Sequence, residues 1–162
     1  LDRFLLKLNA SYPGAGELSE IVDRTTGASM PSVEPVLNAG ELLELRELTR
    51  SVVIAAHVKD YAIRMILATH AGNDNATPMV RRYVRHGASP RGLLAVVLTA
   101  KALALFAGRI NVSFDDLAAA VPPALRHRIL LNFEGEAEGI DVEDLLAEVI
   151  RETPTVAGTA RA

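Results

Sequence analysis

Residues 87–108 read GASPRGLLAVVLTAKALALFAG, a short polar turn that runs straight into a long apolar stretch. Ser89 is a preferred helix N-cap. Pro90 suits the first helical position, because its missing N–H would have no intrahelical partner there. From Ser89 to Ala107 the run is apolar nearly all round, interrupted by Lys101, and a helix tolerates that only when neighbours surround it. The stretch therefore predicts the central helix of an all-α bundle. The strongly apolar run itself, Leu93–Ala107, is shorter than the roughly 20 apolar residues a membrane span needs, so no transmembrane helix is expected.

Arg91 sits awkwardly in this pattern. A helix amino terminus is already positive, and a cation in the first turn costs about 0.3 to 1 kcal/mol. A bound anion would reverse that sign. The free N–H groups of the turn, a guanidinium fork and the room left by Gly87 and Gly92 make Ser89, Pro90 and Arg91 a candidate phosphate site, beside the plain reading of a solvated arginine.

The remaining composition agrees with a helical domain. The 162 residues suit one domain, or one domain and a piece of another, and can bury a real core. With no Trp, four Phe and three Tyr among 49% apolar residues, the core must be built from Leu, Val, Ile and Ala, which favours helices over sheets. The absence of cysteine excludes disulfides and thiolate metal sites and fits a reducing compartment, so a cytoplasmic location is expected. The first residue is Leu and nothing near it reads as a signal peptide, so the expectation is a chain that begins inside a longer gene product.

Working outward, residues 4–8 (FLLKL) predict a short buried strand closed by the turn residues of LNASYPGAG. Leu18, Ile21 and Val22 predict an amphipathic helix from Glu17 that Gly27 ends, followed by the connector MPSVEPV. Leu42, Leu43, Leu45 and Leu48 stripe the next helix. Val58, Tyr61, Ala62, Met65 and Ile66 repeat at three and four, giving another helix to about Gly72. After the central helix, INV (110–112) offers a short extended piece. Ser113 then caps a helix with Asp115 and Asp116 in its first turn. That helix is expected to break at Pro122, where PPALRHRIL begins the next. EGEAEG (134–139) reads as a solvated loop. Residues 141–152 form a last helix with Leu145, Leu146, Val149 and Ile150 inward, and 153–162 a frayed tail.

Few residues suggest chemistry. His57, His70, His86 and His127 lie in different elements without ligand spacing, so no metal site is expected. No nucleophile elbow is present. The pairs Asp115 with Asp116 and Glu143 with Asp144 fall at helix starts, where the dipole explains them. Residues 81–91, RRYVRHGASPR, are the most basic window, with Arg81, Arg82, Arg85, His86 and Arg91 and no acid. They raise the alternative of a standalone helical module holding nucleic acid or another polyanion. The net charge of −3 argues against it. No GxxxxGK[ST] loop occurs, so nothing in the chain cradles a triphosphate with Mg²⁺.

Six segments in order carry a resemblance: LDRFLLKL (1–8), YP with the helix ending RTTG, PVL (35–37), DYAIRMILATH (60–70), YVRHGASPRG (83–92) and PPALRHRILLNFEGEAEG (122–139). Together they resemble the carboxy-terminal part of a MoxR-family AAA+ ATPase, with magnesium chelatase subunits as more distant relatives through LDRF and LRHR. The resemblance implies a lid-type helical bundle with one short strand left over from the ATPase core. Residues 1–14 would be the edge of that core, 15–55 inserted or linker helices, 56–152 the helical lid and 153–162 the tail. The Walker A, Walker B and sensor 1 elements would lie upstream.

By the same resemblance Arg3, in LDRF, takes the position of the arginine finger, acting in trans on ATP held by a neighbouring subunit. Arg91, in GASPRG, takes that of sensor 2, in cis or in trans, with Ser89 and Pro90 on the nucleotide phosphate side. ATP and Mg²⁺ would be cofactors of the full-length parent, with none bound by this chain alone and no turnover by it. Ring oligomers, hexamers by the family pattern, would remodel or activate partner proteins in chaperone-like fashion, among them proteins with von Willebrand factor A domains. Arg81, Arg82 and Arg85 would line the interface or be solvated, and solvation is the expectation.

Overall fold

The computed structural model describes residues 2–27 and 32–155. The chain divides into two units, one comprising Leu8–Arg46 and the other Leu1–Lys7 with Glu47–Ala162.

In the smaller unit, helix α1 (Ala15–Thr26) starts where the Gly14 N–H donates to the Glu17 carboxylate at 2.7 Å, and Gly27 ends it. Helix α2 (Ala39–Ser51) begins with a reciprocal cap: Asn38 Oδ1 accepts from the Glu41 N–H and Glu41 accepts from the Asn38 N–H. Both helices are where the apolar spacing puts them. Neither buries a residue, and Leu18, Ile21, Val22, Leu42 and Leu43 stand exposed. Part of the connector, residues 28–31, lies outside the described residues.

The larger unit holds helices α3 (Ala56–Ala68), α4 (Pro78–Tyr83), α5 (Pro90–Phe106), α6 (Phe114–Leu125), α7 (Phe133–Ala137) and α8 (Val142–Glu152). A two-stranded antiparallel sheet pairs β1 (Val84–His86) with β2 (Leu130–Leu131). Its core is the expected aliphatic one. Tyr61, Ala62 and Met65 of α3, Val96 and Ala100 of α5, Leu117 and Val121 of α6, and Leu145, Leu146 and Val149 of α8 are all at most 3% exposed. Val53 and Asn111 form an isolated parallel bridge, so the INV segment is extended as expected.

The central helix is α5, with Ser89 at its N-cap position and Pro90 as its first residue. Its packing differs from the reading of a helix enclosed on all sides. The buried stripe is Gly92, Ala95, Val96, Ala100 and Ala104, small residues that let α6 lie close, while Leu94 is 62% and Phe106 89% exposed. Close approach of two helices is obtained by small side chains on the shared face, and the larger ones are displaced outward.

Three further expectations are corrected. Residues 4–8 form no strand, because among the described residues no second strand offers them a ladder. The backbone of Phe4, Leu5 and Lys7 is held instead by the end of α6 and the residues after it, and Phe4, Leu5 and Leu8 are exposed. Helix α6 does not break at Pro122 but runs through Pro122 and Pro123 to Leu125. The prolines deprive the Ala118 and Ala119 carbonyls of their helical donors, and burial of Leu117, Ala120, Val121, Ala124 and Leu125 outweighs that loss. EGEAEG is not a solvated loop: α7 occupies most of it, capped by Asn132, whose Oδ1 accepts from Gly135 N–H at 2.9 Å.

Some structure escaped the pattern altogether. Helix α4 is six residues long, capped by Thr77 with Pro78 in its first turn, and too short to show a period. The tail is ordered at its start: Thr153 is buried, and the carbonyls of Pro154 and Thr155 accept from Arg64 at 3.0 Å each. The rest of the expected frayed tail, 156–162, lies outside the described residues.

The start of α6 carries a closed polar network. Arg109 donates to both oxygens of Asp116 at 2.7 and 2.6 Å, and in a capping box the Ser113 N–H donates to the same carboxylate while the Ser113 hydroxyl oxygen accepts from the Asp116 backbone N–H. The Arg109 hydrogen bonds hold the Asp116 carboxyl at about 2, against an ordinary value of 3.8 and against the upward push of burial. A depressed folded-state pKa means the stabilisation is full above the ordinary value and disappears as pH falls toward the folded one. Urea unfolding across an acid series is therefore expected to show about 2 kcal/mol lost between roughly pH 4 and pH 2, a limb that Asp116→Asn flattens.

Candidate functional site

The turn 87–92 is built by close packing. A Cβ at Gly87 would lie 2.5 Å from the Thr69 carbonyl oxygen, and one at Gly92 3.0 Å from Leu125 and 3.1 Å from Ala88. The space these glycines leave is thus filled by the protein itself and does not serve an approaching ligand, contrary to the sequence reading. Gly87 lets the turn close on Thr69 at the end of α3, and Gly92 lets the first turn of α5 press against the end of α6, with the Arg128 stem 3.3 Å from the Gly92 Cβ position.

Ser89 takes the N-cap place, but its side chain does not cap the helix. Its hydroxyl donates to the Asp2 carboxylate at 3.1 and 3.3 Å. Arg91, 62% exposed, reaches the same carboxylate with one N–H at 3.4 Å. On the other side, Arg128 donates from Nε to Asp2 Oδ1 at 3.1 Å, and its side chain is only 3% exposed. Burial pushes the Asp2 carboxyl up, but the Ser89 hydroxyl, Arg91 and Arg128 together bring it below the usual aspartate value.

Arg128 does more than pair with Asp2. Its guanidinium also donates to the backbone carbonyls of Asp2 (3.0 Å), Phe4 (2.6 Å), Leu5 (3.2 Å) and Ala124. His127 Nε2 lies 3.1 Å from the Phe4 carbonyl, Arg126 donates to the Lys7 carbonyl at 3.1 Å, and the Lys7 N–H donates to the Pro123 carbonyl at 2.9 Å. Burial moves the His127 imidazole toward its neutral form; the Phe4 carbonyl opposes this, and the charges of Arg128 and Lys7 reinforce it. The segment 2–7 is consequently clamped by three consecutive side chains at the end of α6. Arg3 lies in the middle of this clamped segment, exposed, and no described residue pairs with it.

The structure thus brings Ser89, Pro90 and Arg91 to one place with the segment that carries Arg3. Sequence reasoning missed Asp2 and Arg128, which join them. Both lie inside the LDRF and LRHR segments, but nothing in the order of residues says that an arginine 126 positions away supplies the partner of Asp2. The basic window is largely spent within the fold. Arg81 is tied to the Asp74 and Ala76 carbonyls, and Arg82 bridges Glu134 and Glu138 at 2.7 Å each, so neither is simply solvated. Arg85 and His86 remain exposed on β1. That leaves little of a polyanion-binding surface. Among the described residues no three His, Cys, Asp or Glu side chains converge to hold a metal ion, and no helix is long and apolar enough to cross a membrane.

Comparison with known proteins fits this arrangement. Residues 76–149 match the AAA lid domain. The chain is 34% identical over 150 residues to the chaperone MoxR1 of Mycobacterium tuberculosis, covering 93% of this chain and 40% of that protein. It is 29% identical over 151 residues to YeaC of Bacillus subtilis, an uncharacterised protein, covering 93% of this chain and 44% of the other. A crystal structure from Cytophaga hutchinsonii, of a protein assigned as an ATPase, superposes with a TM-score of 0.87 at 28% identity, over 94% of this chain and 47% of that one. The chain therefore spans less than half the length of the relatives it matches.

Proposed function

The chain belongs to the MoxR-family AAA+ ATPases as a carboxy-terminal part, and from that premise we propose that it is the lid and core-edge portion of a protein that couples ATP hydrolysis to chaperone-like remodelling of partners. The observation that carries the reading is Arg91: an exposed guanidinium at the amino end of a 17-residue helix, held among the described residues only by a carboxylate at 3.4 Å. Such a group has its donors available for phosphate oxygens, and the helix end favours the same charge.

In this reading Arg91 is sensor 2, with Ser89 and Pro90 setting the start of its helix on the phosphate side. Arg3 is the arginine finger, offered to ATP on a neighbouring subunit of a ring, a hexamer by family pattern. Bound ATP with Mg²⁺ would supply the reactive γ-phosphoryl group, held by elements outside residues 1–162. This chain contributes cations that stabilise charge developing on that group. Residues 1–14 act as the core edge, 15–55 as linker helices and 56–152 as the lid. Gain or loss of phosphate contact at Arg91 biases lid orientation, which is how a local charge becomes motion of helices. Proteins with von Willebrand factor A domains are the proposed partners, in the cytoplasm, and the isolated chain hydrolyses nothing.

Arg91→Ala in the full-length protein is expected to lower ATP turnover about ten- to a hundredfold. Turnover equal to wild type, or measurable hydrolysis by residues 1–162 alone, would refute the assignment.

A further inference from the structure

Asp2 sits where three donors meet, and they meet it unequally. Oδ1 accepts from the buried Arg128 at 3.1 Å and from Ser89 at 3.1 Å. Oδ2 takes the longer contacts, Ser89 at 3.3 Å and the exposed Arg91 at 3.4 Å. Ser89, moreover, gives up the usual task of an N-cap hydroxyl in order to donate to this carboxylate. A carboxylate is therefore held against the amino end of α5, where a phosphate would otherwise be favoured, and it engages the residue that the proposed function assigns to phosphate.

We infer that Asp2 is a positioning residue that holds Arg91 while no phosphate is present and yields it when one arrives. The inference rests on Arg91 being the phosphate-contacting residue. Its physical basis is that release costs Asp2 little. When Arg91 leaves, the carboxylate keeps Arg128 and the Ser89 hydroxyl, so no unpaired charge is left behind. Arg91 gains in exchange a more highly charged, bidentate acceptor. The contact is exposed and long, which limits how strongly it can compete, and ATP binding is opposed slightly without being blocked. Because Asp2 adjoins Arg3, the same carboxylate lies next to the finger whose segment Arg128 clamps.

The test is a cycle in the full-length protein, measuring KM and kcat for ATP in wild type, Asp2→Asn, Arg91→Ala and the double variant. Asp2→Asn is expected to lower KM for ATP about two- to fivefold, the range an exposed ion pair can hold, with kcat retained. In the Arg91→Ala background the same substitution should leave KM unchanged, and Asp2→Glu should restore the wild-type value. An unchanged or raised KM in Asp2→Asn, an equal fall with and without Arg91, or a fall in kcat alone would overturn the inference while leaving the role of Arg91 standing. If Arg91→Ala itself behaves as wild type, the proposed function fails and the inference with it. Should Asp2→Asn not fold, Asp2→Ser removes the same charge from a side chain 41% exposed and is read in the same way.

Discussion

Arg3→Ala in the full-length protein is expected to reduce ATP turnover by about 10³-fold, the lower end of what an arginine finger contributes. On the proposed role in trans, nucleotide binding should stay close to wild type, because the side chain would serve a site on another subunit. The structure accounts for why so large an effect is compatible with an intact fold. Arg3 is exposed and unpaired among the described residues, while the backbone on either side of it is fixed by Arg128. Removing the side chain breaks no hydrogen bond or ion pair among the described residues. Mixing Arg3→Ala subunits with subunits unable to bind ATP provides the check: turnover should depend on which neighbour supplies the arginine, and activity independent of the mixture would exclude action in trans.

Arg128→Met is the second large effect. The guanidinium is 3% exposed and serves one carboxylate and four carbonyls, so an aliphatic replacement of similar length removes every one of those hydrogen bonds at once. Leaving those acceptors without their donor costs about 3 kcal/mol, read as a shift in urea midpoint. Hydrogen exchange supplies the local reading. The Lys7 amide, bonded to the Pro123 carbonyl, should lose protection out of proportion to the core of α3 and α8. Uniform loss across the molecule would mean that Arg128 supports the lid as a whole and does not act as a clamp.

The helices of the lid were legible because their signals are local and redundant. Ser89, Pro90 and the apolar run after them specify cap, first turn and burial within one stretch, and α5 begins where they place it. Leu145, Leu146 and Val149 do the same for α8. The errors share a different cause. FLLKL has the composition of a strand, but strand formation is decided by a neighbour, and the neighbour here is the end of α6 with its arginines. Pro122 and Pro123 are strong breakers by propensity, yet the buried face of α6 overrides them. EGEAEG looks like solvent-facing acid until Arg82, some fifty residues earlier, is seen to claim Glu134 and Glu138.

The candidate site divides along the same line. Arg3 and Arg91 could be singled out from motifs, since each motif is contiguous. Asp2 and Arg128 could not, because their significance arises only from juxtaposition. The misreading of Gly87 and Gly92 is of that kind too: a glycine advertises close approach, and the sequence does not say whether a ligand or Thr69 and Leu125 will approach.

The clamp on residues 2–7 also imposes an order of events in time. Asp2 and Arg128 are separated by 126 residues, and Leu5 and Arg128 by 123. A ribosome delivers the Arg3 segment long before α6 exists to receive it, and closing so wide a loop is slow compared with forming the helices between. The segment that bears Arg3 is thus made early and seated late. A chain that has not yet formed the end of α6 lacks every hydrogen bond that Arg126, His127 and Arg128 make to this segment, so Arg3 takes its place only once those residues have folded.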